Sequence, residues 1–254
     1  MDNFNQAQDA EYTVLGSGVH TQQASKTFMS NVFMWMFVAL AVSAVFAFLF
    51  ATNISLLQLL INPADASGHG GGLSIFGWII LFAPIGFVLY MSARMARMSY
   101  AAMVTCFVLY SAINGITFSF ILLAYTPGSV LSCFAACSVM FGVMAFLGYT
   151  TNQDLTSFGR ILMMAVVGII VAVLINMFMH SKQLDYLISI VGVAAFTGLT
   201  AYDVQKLKRI GAGIEYEGVT ADDSKKFAIM GALQLYLDFI NLFLMLLRLF
   251  GKRR

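Results

Sequence analysis

The stretch FAIMGALQLYLDFINLFLMLLRLF (227–250) decides the fold. As one helix it is long enough to cross the ~30 Å hydrocarbon core of a bilayer. Apolar residues flank Asp238 on both sides. A companion stretch, YLISIVGVAAFTGLTAYD (186–203), ends on Asp203. An ionised side chain near the bilayer centre costs at least ~2.5–3.5 kcal/mol, so each aspartate is expected to face a partner or a watery path. Working outward, apolar runs at 32–52, 73–92, 100–124, 130–149 and 161–180 join 184–206 and 227–250 as seven candidate spans.

Composition points the same way. The 254 residues are 60% hydrophobic and only 10% charged, whereas a soluble domain carries roughly 25% charged residues. Connections are short except at 53–72 and 207–226, which leaves no room for a soluble catalytic domain. The expected fold is all-α, a polytopic membrane protein with seven transmembrane helices at 31–254. Residues 1–30 are polar and read as a disordered tail. That tail has neither the basic start of a secretory signal nor the Arg-rich, acid-poor character of a transit peptide.

Seven spans divide the loops between two sides. Nine of the 14 Lys and Arg fall with the N-terminal tail and its side of the bundle, namely Lys26, Arg94, Arg97, Arg160, Lys206, Lys208, Arg209, Lys225 and Lys226. The positive-inside rule then places the N-terminus in the cytoplasm. The basic ending KRR (252–254) argues the other way. A re-entrant last helix or six true spans would reconcile it, so the side of the C-terminus stays open. Basic residues spread along membrane edges give no nucleic-acid signature.

Catalytic and metal constellations are missing from the pattern. Cys133 and Cys137 share a helix face at i, i+4, Cys106 lies in the third span, and His20, His69 and His180 are scattered. A zinc site wants more ligands together, and buried thiols in apolar helices are expected to pack as small residues. The glycine run GHGGG (68–72) falls in a loop without a Gly-x-Ser-x-Gly partner, so it reads as a flexible turn. Neither an enzyme nor a resident cofactor is expected.

Asp203 and Asp238 are the carboxylates embedded well inside apolar runs, on consecutive antiparallel spans. Counted at 1.5 Å per residue, their depths differ by roughly 10 Å, and tilt or an early start of the last helix must close that gap if they touch. Asp203 could instead be a solvated residue at a helix end. Asp238 could be a structural hydrogen-bond partner of Asn241, Tyr236 or a backbone group. The second span ends YMSARMARMSY (90–100), which places Arg94 and Arg97 near the expected depth of Asp203. Both could be snorkelling anchors, and either could latch onto the pair. Pro84 and Gly86 lie in that same span, and a proline inside a helix removes a hydrogen bond and kinks it, making a candidate hinge.

Four segments together carry a resemblance: TAYDVQKLK (200–208), LYLDFINLFLMLLRLFG (235–251), GYTTNQDLTSFGR (148–160) and NGITFSFILL (114–123). The chain resembles the transmembrane Bax inhibitor motif family from about Asn31 to Gly251, and specifically a bacterial member. The resemblance implies seven helices with the last one central. It also implies a pH-sensitive calcium leak governed by two aspartates, which correspond to Asp203 and Asp238, with an arginine latch at Arg94 or Arg97. Calcium is then the transported ion, held weakly and transiently by Asp203 and Asp238, since carboxylate oxygens suit a hard cation but two are too few for a tight site. The polar N-terminus and the 68–72 loop depart from the family pattern without touching these motifs.

Rival readings remain. A non-conducting regulator that binds a membrane protease or a stress-response complex is the main one. An intramembrane aspartyl protease would want Gly-x-Gly-Asp, whereas TAY precedes Asp203 and LYL precedes Asp238. A secondary transporter would show inverted repeats or paired broken helices, and neither is visible. The bilayer, the bacterial inner membrane above all, is the expected setting.

Overall fold

In a computed structural model the described residues are 2–62, 72–94, 97–216 and 219–254, with the backbone alone described at 2–24 and 215–216. Helix α1 spans Asp2–Thr52, α2 Ile54–Leu60, α3 Ile75–Arg94, α4 Tyr100–Ala124, α5 Pro127–Thr150, α6 Thr156–Met179, α7 Lys182–Tyr216 and α8 Ala221–Phe250. Strands β1 (Ile61–Asn62) and β2 (Gly72–Leu73) pair antiparallel. Seven of these helices, all but α2, contain segments long and apolar enough to cross a membrane. The chain is an all-α polytopic membrane protein.

Local chemistry sets the helix ends. Ser99 caps α4 by accepting from the Ala102 N–H, and Pro127 opens α5, where its missing N–H costs nothing. The Thr220 hydroxyl both accepts from the Asp223 N–H and donates to its carboxylate, a closed cap for α8. That cap explains a difference from the expected boundaries. The segment 207–226 was expected as a long connection, yet α7 runs on to Tyr216 and α8 starts at Ala221. Hydropathy marks where a helix is apolar, whereas caps mark where it ends. At the other end of the chain, α1 begins inside the segment expected as a tail, and Phe28 and Met29 are already buried.

Helices α7 and α8 form the interior, and α3 and α6 are the most lipid-exposed spans. Helix α8 packs against α7, α1, α5 and α4, so the last helix is central. On the outside, Trp78, Phe82, Ile85 and Leu89 of α3 and Met163, Val167, Ile170 and Leu174 of α6 form exposed apolar stripes. Surface of that kind is at home in hydrocarbon and not in water. The C-terminus settles its own place. Tyr125 pairs with Arg253 across an antiparallel bridge, the Thr126 N–H donates to the Lys252 carbonyl, and the Arg254 N–H donates to the Ala124 carbonyl. The chain end therefore lies beside the α4–α5 turn, at the end of the bundle opposite the α7–α8 connection. That fits seven full spans and leaves no need for a re-entrant last helix.

Candidate functional site

Asp203 and Asp238 come together. Both are buried, and their carboxyls lie within hydrogen-bonding reach of each other, with Gln234 beside Asp203 and the charge of Lys206 acting on both. Measured along the helices from the α7–α8 connection, Asp203 is about 20 Å from Tyr216 and Asp238 about 26 Å from Ala221, at 1.5 Å per residue. Side-chain direction closes the remaining gap. Each Cα–Cβ bond tilts toward its own helix N-terminus. In this antiparallel pair that swings Asp203 deeper and Asp238 back toward the connection, so the two meet.

Packing fixes α7 at this level. A Cβ on Gly148 of α5 would run into the Ala201 backbone, and one on Gly159 of α6 would strike the Tyr202 ring. Glycine at both positions lets two neighbours press onto α7 directly before Asp203. On α8, Tyr236 faces elsewhere. Ser43 donates its hydroxyl proton to the Ser111 carbonyl at 2.8 Å, so the 2.8 Å bond between Ser43 and Tyr236 is donated by the tyrosine. Tyr236 is thereby committed to α1, and the alternative role of Asp238 as its hydrogen-bond partner falls away.

The pair is not saturated. One oxygen of each aspartate is buried without a hydrogen-bond partner, as is the Thr197 hydroxyl earlier on α7. Buried unpaired acceptors are costly, by ~1–3 kcal/mol each, and draw attention to a proton, an ion or water as the missing partner. A crevice of about 310 Å³ is lined by Lys206 and Gln234, the polar neighbours of the pair, and by Val88 and Ser92 of α3, without either aspartate in its lining. Among the described residues no group of three or more His, Cys, Asp or Glu could hold a metal ion, so the site offers two carboxyls and not a cage.

The arginines sit apart. Arg94 and Arg97 are exposed, and among the described residues neither forms an ion pair with Asp203 or Asp238. The cation next to the pair is Lys206, on the same helix as Asp203 and one turn away. Pro84 lies inside an unbroken α3, and Gly86 has open space where a Cβ would go, so packing does not require a glycine there. Val88 and Ser92 both follow Pro84, so the crevice wall belongs to the half of α3 beyond the proline. Gln234 and Lys206 were missed in the sequence, although i, i+4 to Asp238 and i, i+3 to Asp203 are the spacings that put side chains on one helix face. The glycine run 68–72 lies outside the described residues except for Gly72, and the side chains of His20 and His69 lie outside them too. Cys133 and Cys137 are buried on α5 against the Leu246 and Phe239 carbonyls of α8.

Fold and site define a polytopic α-helical membrane protein built around a buried carboxyl pair on its two innermost helices. The family model described as "Inhibitor of apoptosis-promoting Bax1" matches residues 25–254. Inner membrane protein YbhL of Escherichia coli (strain K12) is 41% identical over 238 residues, covering 93% of this chain and 96% of that protein. Uncharacterized proteins of Borreliella burgdorferi and Deinococcus radiodurans are 38% and 36% identical, covering 89% and 90% of this chain and 92% and 91% of theirs. The chain belongs to this Bax inhibitor-like family.

Proposed function

We propose that the protein is a pH-sensitive calcium leak of a bacterial inner membrane, with the N-terminus in the cytoplasm. The observation that carries this reading is the meeting of Asp203 and Asp238 inside the bundle, each with an unpartnered oxygen. One shared proton ties α7 to α8 through a carboxyl–carboxylate hydrogen bond. Two carboxyls in contact titrate as a coupled pair, so the proton belongs to the pair and not to either residue. Without the proton, two like charges face each other in a low dielectric and favour separation or a cation between them. Carboxylate oxygens suit calcium, and two of them bind it weakly enough to release it. The crevice between α3, α7 and α8 supplies the approach, and swinging of α3 about Pro84 widens or seals it. No enzymatic step and no resident cofactor enters this account.

The test is calcium flux from proteoliposomes across pH. Asp203→Asn and Asp238→Asn each abolish the proton shared between two carboxyls, so both variants are expected to lose the pH dependence that this sharing confers. Flux that keeps its wild-type pH profile in both variants refutes the gate. Complete absence of calcium flux from the folded wild-type protein points to the non-conducting regulator of a membrane protease or stress-response complex.

A further inference from the structure

A pocket of about 260 Å³ lies at the end of α5, lined by Thr151, Asn152, Gln205, Lys208, Arg209 and Ala212. Its two cations are held in place. The Lys208 ammonium donates to the Tyr149 carbonyl at 2.7 Å and sits 4.9 Å from the Tyr149 ring centroid. Two of its N–H bonds remain for a ligand. The Arg209 guanidinium donates to Asp154 at 2.8 Å, to Gln205 Oε1 at 3.2 Å and to the Thr156 hydroxyl at 3.2 Å. Gln205 is anchored in turn, accepting from the Leu155 N–H and donating to the Gln153 carbonyl. Asp154 is one carboxylate against two cations, so the pocket keeps net positive charge.

Location identifies the occupant. The pocket lies where the α5 span ends at Thr150, with Tyr149 and Tyr202 at the same level, and tyrosines of this kind mark the headgroup layer. Directly below, Phe146 and Leu147 of α5 and Phe158 and Ile161 of α6 are exposed apolar surface. Basic pockets between membrane helices bind anionic headgroups. We propose that this pocket holds the phosphate of an anionic phospholipid, whose acyl chains lie over the exposed turns of α5 and α6. The site is separate from the aspartate pair and stands whether or not the chain conducts ions. It would also brace α7 close to Asp203, because Lys208 and Arg209 are on that helix.

Native mass spectrometry of the full chain in detergent tests this, with phosphatidylglycerol, phosphatidylcholine and inorganic phosphate as separate probes. Wild type should retain phosphatidylglycerol over phosphatidylcholine. Lys208→Gln and Ala212→Glu should each weaken that retention about fivefold, and Ala212→Lys should strengthen it by a similar factor, the scale of one charge at a membrane surface. The opposite signs at position 212 separate an electrostatic site from a folding defect. Equal retention of both lipids, or retention unchanged across the three variants, overturns the proposal. Inorganic phosphate that binds as well as phosphatidylglycerol assigns the pocket to a soluble anion and overturns the lipid.

Discussion

Lys206 lines the crevice, one turn from Asp203, so under the proposed leak its charge faces an entering cation. An ammonium there repels calcium. Replacing Lys206 with Gln is expected to raise calcium flux about fivefold at fixed pH, the factor for ~1 kcal/mol of Coulomb energy in a wet site. Flux equal to wild type in proteoliposomes would mean that ions enter elsewhere. Asp154 shows the opposite electrostatic situation, out in the solvent. The Thr156 hydroxyl and amide, and then Arg209, hold its carboxyl at about 2. A folded-state value below the unfolded one stabilises the fold above the ordinary carboxylate range, and that contribution is lost as pH falls toward about 2. The difference in Tm between wild type and Asp154→Asn should therefore be constant above pH ~4, shrink below it, and diminish in high salt.

Helix contacts show why sequence reading reached some features and not others. The two aspartates were legible because an acid inside an apolar run violates composition so strongly. Their contact was not, since counting rise along a helix ignores Cβ tilt and the lengthened ends of α7 and α8. That neither arginine forms an ion pair with the aspartates among the described residues could not be read from spacing either: spacing gives the depth of Arg94, while facing depends on how α3 lies on α4. Glycines were harder still. Nothing in GYTTNQDLTSFGR shows that Gly148 meets the Ala201 backbone and Gly159 the Tyr202 ring. Gly148→Leu should push α5 off α7 and cost about 1–3 kcal/mol by overpacking. A melting curve in detergent indistinguishable from wild type would show that the helices can part there freely.

Across the whole molecule, seven spans put the two chain ends on opposite faces, and the count of spans followed from hydropathy alone. Orientation rests on the charge bias of the loops, which predicts a cytoplasmic N-terminus. An alkaline phosphatase fused after Arg254 should then be active and a green fluorescent protein at the same place dark, with the reverse pattern at the N-terminus. The opposite readout would invert the topology. Such fusions meet a constraint of their own. The final three residues are stitched to the turn between α4 and α5. Cargo welded flush onto Arg254 would pry that seam open and slacken the anchorage of the innermost rod, so tail-tagged preparations report on the native bundle only when a spacer intervenes.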